Sequence, residues 1–154
     1  MIFLQGEHIC RVDSKGRFML PVGLRNQVNA SLNEGFMIKC SIFEACLELY
    51  PRSNWDEIFR KINSKLSIFK REDNDFIRGY SAGLQPLEID SAGRILIPRD
   101  LVSFAGITNE IVVAAKMGSI EIWDKAKYDA IVSATQANIS DMAERLLGNI
   151  NLFE

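Results

Sequence analysis

Short apolar runs broken by turn residues organise residues 7–50 of the chain, and helical spacing takes over after them. An apolar-containing run from Glu7 to Val12 and a second from Arg17 to Leu20 read as strands, and Asp13-Ser14-Lys15-Gly16 between them reads as a tight turn, so 7–20 is predicted to be a hairpin. Phe36 to Cys40 and Ala45 to Tyr50 predict another pair of strands, and Glu110 to Lys116 with Ser119 to Trp123 predict a third, joined closely around Met117-Gly118. From Ser53 the period changes. Ser53-Asn54-Trp55-Asp56 has the form of a capping box, and Trp55, Ile58, Phe59, Ile62 and Leu66 follow at helical spacing. Ile68 to Tyr80 predicts a second helical stretch with Phe69, Phe76, Ile77 and Tyr80 among charges. After Trp123, Tyr128, Ile131 and Val132 share one helix face, and Ser140 opens a last helix carrying Met142, Leu146 and Leu147. The fold class is therefore α+β.

The pattern occurs twice. Asp13-Ser14-Lys15-Gly16-Arg17-Phe18-Met19-Leu20-Pro21 returns as Asp90-Ser91-Ala92-Gly93-Arg94-Ile95-Leu96-Ile97-Pro98, with seven of the nine positions identical or aliphatic in both. Leu24 and Leu101 each follow the proline by three, and Glu48-Leu49-Tyr50 is echoed by Glu121-Ile122-Trp123. Two copies are too few for a solenoid, so the halves 1–81 and 82–154, each a small β unit followed by helices, are expected to share one pseudo-symmetric core. A half of this size would be marginal alone. Pro21 and Pro98 suit the first turn of a short helix, where an N–H has no intrahelical use.

A formal charge of −2 and 47% hydrophobic residues in 154 fit an ordinary globular protein and argue against one that coats nucleic acid through bulk positive charge. Charge is uneven along the chain: residues 83–154 carry 6 basic and 10 acidic groups, whereas 51–82 carry 7 and 5. A polyanion is expected to meet the first copy or the middle segment. Cys10, Cys40 and Cys46 with a single His8 form no metal spacing and no evident nucleophile–base pair, and read as reduced thiols. No apolar run approaches bilayer length, and no basic segment precedes the N-terminal apolar patch, so a cytoplasmic protein without membrane contact is expected.

The repeated loop carries the candidate chemistry. Asp13 and Asp90 can accept hydrogen bonds from amides two or three residues on, and Gly16 and Gly93 can take the left-handed conformation that a type I turn with a following bulge requires. Arg17 and Arg94 then stand at the root of a tight turn, where a planar fork of donors suits a phosphate or a guanine. An ion pair with Asp13 or Asp90 across the same turn is the competing fate of each arginine. Lys15 adds a cation at the tip of the first loop, and Ala92 removes it from the second, so the second is expected to be the poorer anion site.

The doubled Asp-x-x-Gly-Arg with its proline four residues on, Glu121-Ile122-Trp123-Asp124, and Cys46-Leu47-Glu48-Leu49-Tyr50-Pro51 closely resemble the MraZ family of bacterial transcriptional regulators, related to the AbrB and MazE group. The resemblance runs through nearly the whole length. It implies a swapped-hairpin β-barrel made by two AbrB-like modules with helices around it, and a homo-oligomeric ring. It further implies a nucleoid-associated protein that binds double-stranded DNA at short direct repeats upstream of the division and cell-wall gene cluster. The family's DNA-contacting motif maps onto Ser14, Lys15, Arg17, Ser91 and Arg94, with Asp13, Gly16, Asp90 and Gly93 forming the loops. Two other classes compete. An antitoxin-like interaction module would use the apolar positions of residues 52–81 and 125–152, which a core also explains. An enzyme is disfavoured, because the sequence offers no suggestive carboxylate pair, no Gly-rich phosphate loop before a helix and no nucleophile–base combination, and neither cofactor nor small-molecule substrate is expected.

Overall fold

The turn at Asp13 to Gly16 folds as its residues dictate, but the strands on either side of it do not pair with each other. The computed structural model, which describes residues 1–153, places β1 at Glu7–Arg11 and β2 at Arg17–Met19. Instead of forming a ladder with β2, β1 lies antiparallel to β7 (Glu110–Lys116) of the second half, with His8 opposite Val113 and Cys10 opposite Ile111. Reciprocally, β5 (Gln85–Leu87) leaves its own half to pair with β3 (Phe36–Cys40). The predicted hairpin at 7–20 is thus a turn whose two arms go to different partners. β2 pairs with β6 (Arg94–Leu96), its own counterpart in the repeat, and β4 (Leu47–Pro51) pairs with β8 (Ser119–Asp124).

These ladders make a six-stranded antiparallel sheet in the order β1-β7-β8-β4-β3-β5 and a separate two-stranded ribbon, β2-β6. They do not close into a barrel: β1 and β5 are the two edges of the sheet. Pro86 lies within β5, and a residue without an N–H suits an edge, where one side of the strand needs no donor. Alternation then decides what faces inward. Phe18 and Ile95 of the ribbon pack with Ile38, Leu47, Leu49, Ile111, Val113, Ile120 and Ile122 of the sheet, all buried, so ribbon and sheet share one apolar core. That sharing joins the β units of both repeats in one core.

Leu20, Leu24, Ile97 and Leu101 close the core from the segments after the ribbon strands. Pro21 and Pro98 stand one residue before α1 (Val22–Gln27) and α4 (Arg99–Ala105), and their carbonyls accept the first helical N–H bonds, Leu24 and Arg25 in one case and Leu101 and Val102 in the other. The capping box does not form. α2 (Arg52–Asn63) begins a residue earlier, after Pro51, without a side-chain cap. Asn54 is instead buried: its Oδ1 accepts from the Ile2 N–H at 2.9 Å, and its Nδ2 donates to the carbonyls of Ile2 (2.7 Å) and Gly118 (2.9 Å). One side chain satisfies three backbone groups that would otherwise be costly to bury.

The outer face of the sheet in the first half is covered by α2 and α3 (Arg71–Tyr80), where Trp55 packs against Tyr50, Phe59 and Tyr80 with centroids 5.3–6.2 Å apart. Lys39 is fully buried there, donating to the Cys40 carbonyl at 2.6 Å, lying 3.6 Å from Glu48 and 4.2 Å from the Tyr80 ring centroid. Cys46 is a buried free thiol pushed up to about 12, mainly by burial and then by the Glu121 carboxylate, which leaves it a poor nucleophile. Residues 1–124 form one compact unit, and the described residues from Lys125 on form a second, helical one containing α5 (Lys125–Gln136) and α6 (Ile139–Leu147). No helix among the described residues is long and apolar enough to cross a membrane.

Candidate nucleic-acid interface

The two repeated loops are built by the same hydrogen bonds. In the first, Asp13 Oδ1 accepts from the backbone N–H groups of Lys15 and Arg17, both at 2.9 Å, and the Asp13 carbonyl accepts from Gly16 at 3.0 Å. In the second, Asp90 Oδ1 accepts from Ala92 at 2.9 Å and Arg94 at 2.8 Å, and the Asp90 carbonyl accepts from Gly93 at 3.0 Å. Gly16 has φ 90° and Gly93 φ 85°, a region that side-chain-bearing residues rarely adopt. The Asp and Gly of the motif are therefore both needed to close the turn. The N–H of Arg17 holds the Asp13 carboxyl below its usual range, helped by the guanidinium, and Arg94 does the same for Asp90.

The ion pair across each turn is present in both loops, and it consumes only part of the guanidinium. Arg17 Nε meets Asp13 Oδ2 at 2.8 Å and Arg94 Nε meets Asp90 Oδ2 at 2.9 Å. The terminal Nη atoms of both arginines have no protein partner among the described residues. A pair this exposed contributes little to stability. Its larger consequence is orientation: the fork is held at the root of the turn with its outer donors free.

The ribbon joins the two loops, one at each of its ends. Phe18 and Ile95 are directly opposed and point into the core, so the neighbouring pairs, Arg17 opposite Leu96 and Met19 opposite Arg94, point outward. Arg17 and Arg94 are diagonal neighbours on one outer face, a spacing of about 7–8 Å. Ser14, Lys15, Ser91 and Ala92 are exposed at the loop tips. The ribbon thus sets the two arginines near each other with a loop at either end, although the loops are 77 residues apart in the chain.

Two further arginines join them that the motif did not single out. Each loop is framed by the opposite half: the Ile97 N–H donates to the Gly16 carbonyl at 2.9 Å, and the Leu20 N–H donates to the Gly93 carbonyl at 3.0 Å. α4 consequently lies beside the first loop, where Arg99, Val102 and Thr108 line a cleft of about 190 Å³ with Asp13 and Lys15. α1 lies beside the second loop, with the Arg25 guanidinium against Gly93. At equivalent positions after the proline the repeat reads Val22 and Arg25 in one copy, Arg99 and Val102 in the other. Each loop therefore receives an arginine from the opposite half, Arg99 at the first and Arg25 at the second, a reciprocity readable in the sequence only once the exchange is known.

The fold and this site define a class: a duplicated α+β protein whose halves exchange strands and present paired Asp-x-x-Gly-Arg turns on a common ribbon. A family model described as "MraZ protein, putative antitoxin-like" matches residues 3–79 and again 82–150. The protein named Transcriptional regulator MraZ from Flavobacterium psychrophilum is 48% identical over 146 residues, covering 95% of this chain and 92% of that protein. Its namesake from Christiangramia forsetii is 44% identical over 149 residues, 97% of this chain and 96% of the other. A third, from Finegoldia magna, is 36% identical over 91% of this chain and 94% of its own length. The chain belongs to the MraZ family.

Proposed function

We propose that the chain is a sequence-specific DNA-binding transcriptional regulator whose ribbon meets double-stranded DNA through Ser14, Lys15 and Arg17 of the first loop and Ser91 and Arg94 of the second. The observation that carries this reading is the placement of two partly freed guanidinium forks on the outer face of one antiparallel ribbon. A major groove admits such a ribbon, and an arginine fork matches both guanine and phosphate. The name that these relatives carry, Transcriptional regulator MraZ, supports the regulatory role. The sheet and ribbon, packed on one core, serve as the barrel-like body that carries the loops, and the target is short direct repeats upstream of the division and cell-wall gene cluster.

Copies of the chain form a ring, so that successive loops reach successive repeats and bind at high effective concentration. Exposed apolar side chains supply the contacts between copies: Phe43 is 83% exposed, Ile68 79% and Phe69 93%. Light scattering during gel filtration tests the assembly, and a monodisperse monomer at micromolar concentration overturns the ring. Gel shift with DNA from upstream of the protein's own gene, across a salt series, tests the function. Specific retention that weakens steeply with salt and disappears in Arg17→Ala is expected. Retention indifferent to sequence, or none, overturns the reading.

A further inference from the structure

We infer that Arg25 is the phosphate-binding cation of the second loop, supplied across the pseudo-two-fold by the first module in place of the lysine that Ala92 lacks. The inference rests on the DNA-binding reading and adds a contact to it.

The second loop has the same turn as the first but no cation at its tip, since Ala92 stands where the first loop has Lys15. Strand exchange brings α1 to that gap. A Cβ built on Gly93 would come 2.7 Å from Arg25 Nη1 and 3.3 Å from Arg25 Cζ, so the guanidinium lies directly on the loop at its glycine. The backbone beneath is fixed: Leu24 beside it is fully buried, and the Arg25 N–H donates to the Pro21 carbonyl at 2.8 Å. Arg25 is half-buried, and no carboxylate pairs with it among the described residues. A partly desolvated guanidinium without a counter-ion is unfavourable in the free protein and becomes favourable when an anion arrives. Arg94 on the same loop already shares its Nε with Asp90, so Arg25 is the cation there that no protein carboxylate offsets. The anion that fits, on a face whose neighbouring groups suit duplex DNA, is a backbone phosphodiester.

The test is a titration of the full-length protein against the DNA upstream of its own gene over a salt series, comparing wild type, Arg25→Gln, Arg25→Lys and the double variant Arg25→Gln with Ala92→Lys. Arg25→Gln should reduce the slope of log affinity against log salt by about one unit per engaged second loop. Arg25→Lys should keep the slope, and Ala92→Lys should restore it in the Arg25→Gln background, which a merely structural arginine would not allow. Arg25→Met, which keeps the aliphatic stem, replaces Arg25→Gln should the latter lose thermal stability. An unchanged slope for the charge-removing variant while Arg94→Ala still weakens binding overturns the inference and leaves the DNA reading intact. Failure of Ala92→Lys to restore a lost slope also overturns it. Absence of specific binding by the wild type brings down both.

Discussion

The loops at 13–17 and 90–94 have the same backbone and different neighbours. Both close on an aspartate side chain, both place a glycine at positive φ, and both tie an arginine guanidinium by its Nε. Around Gly16 the adjoining atoms are the Ile97 carbonyl and the Leu96 and Val102 side chains, whereas around Gly93 they are the Arg25 guanidinium and Met19 sulfur. A turn is therefore specified by its own five residues, but its charge is specified by whatever the rest of the chain lays against it. Judged by sequence alone the second loop is the weaker anion site, because Ala92 replaces a lysine. With Arg25 in place, and with Arg17 and Arg94 on one face, the proposed DNA-binding reading has both loops sharing the DNA.

The sharpest way to break this comparison is to remove each fork in turn. Arg17→Ala and Arg94→Ala should each cost about 1–3 kcal/mol of binding per engaged subunit. Summed over several subunits, either loss should abolish specific binding while gel filtration shows an intact assembly. A titration in which Arg94→Ala binds like wild type would restore the asymmetry that the sequence suggests.

The glycines separate the loops by stability instead of affinity. A Cβ on Gly16 would sit 2.9 Å from the Ile97 carbonyl oxygen, a backbone atom, while the closest atom at Gly93 is the end of a flexible arginine. Positive φ alone makes valine cost roughly 1–2 kcal/mol at either position. Gly16→Val should therefore lower the melting temperature more than Gly93→Val does, and equal shifts would show that the Ile97 backbone yields as readily as the arginine.

Lys15→Ala should leave stability unchanged and flatten the salt dependence by about one unit per phosphate lost. Ser14→Ala and Ser91→Ala, at exposed tips, should change stability by no more than about 0.5 kcal/mol.

Acid should loosen both loops together. The Asp13 and Asp90 carboxyls lie below the usual range when folded, so the stabilisation they give is present above the unfolded value of about 3.9 and is lost as pH falls through their folded values. Amide resonances of Gly16 and Gly93 followed from neutral pH downward should shift in parallel below about pH 4. Movement of one without the other would mean that the loops are not held by the same bonds.

Much of this molecule was determined by local sequence. Asp at the start and Gly at the fourth position close the turn whatever surrounds them, since the carboxylate reaches amides two and four residues on and only glycine takes the required φ without strain. The strands at Phe36–Cys40 and Glu110–Lys116 and the helical face of Trp55, Ile58 and Phe59 follow from apolar spacing in the same way. The capping-box form at Ser53 does not produce a cap, and its pattern does not reveal that Asn54 is needed by Ile2 and Gly118, groups distant in the chain. What only the tertiary structure decided is who pairs with whom. Glu7–Arg11 carries no mark that its partner is Glu110–Lys116 and not the adjacent Arg17–Met19, because a strand's pattern states which face is buried and not which edge will meet it. The exchange arises from burying both halves in one core, and it alone carries Arg25 to Gly93 and sets Arg17 and Arg94 on a common face. Long-range pairing of this kind is a property of the packed chain as a whole, so the charge of the second loop could not be read from the residues that form it.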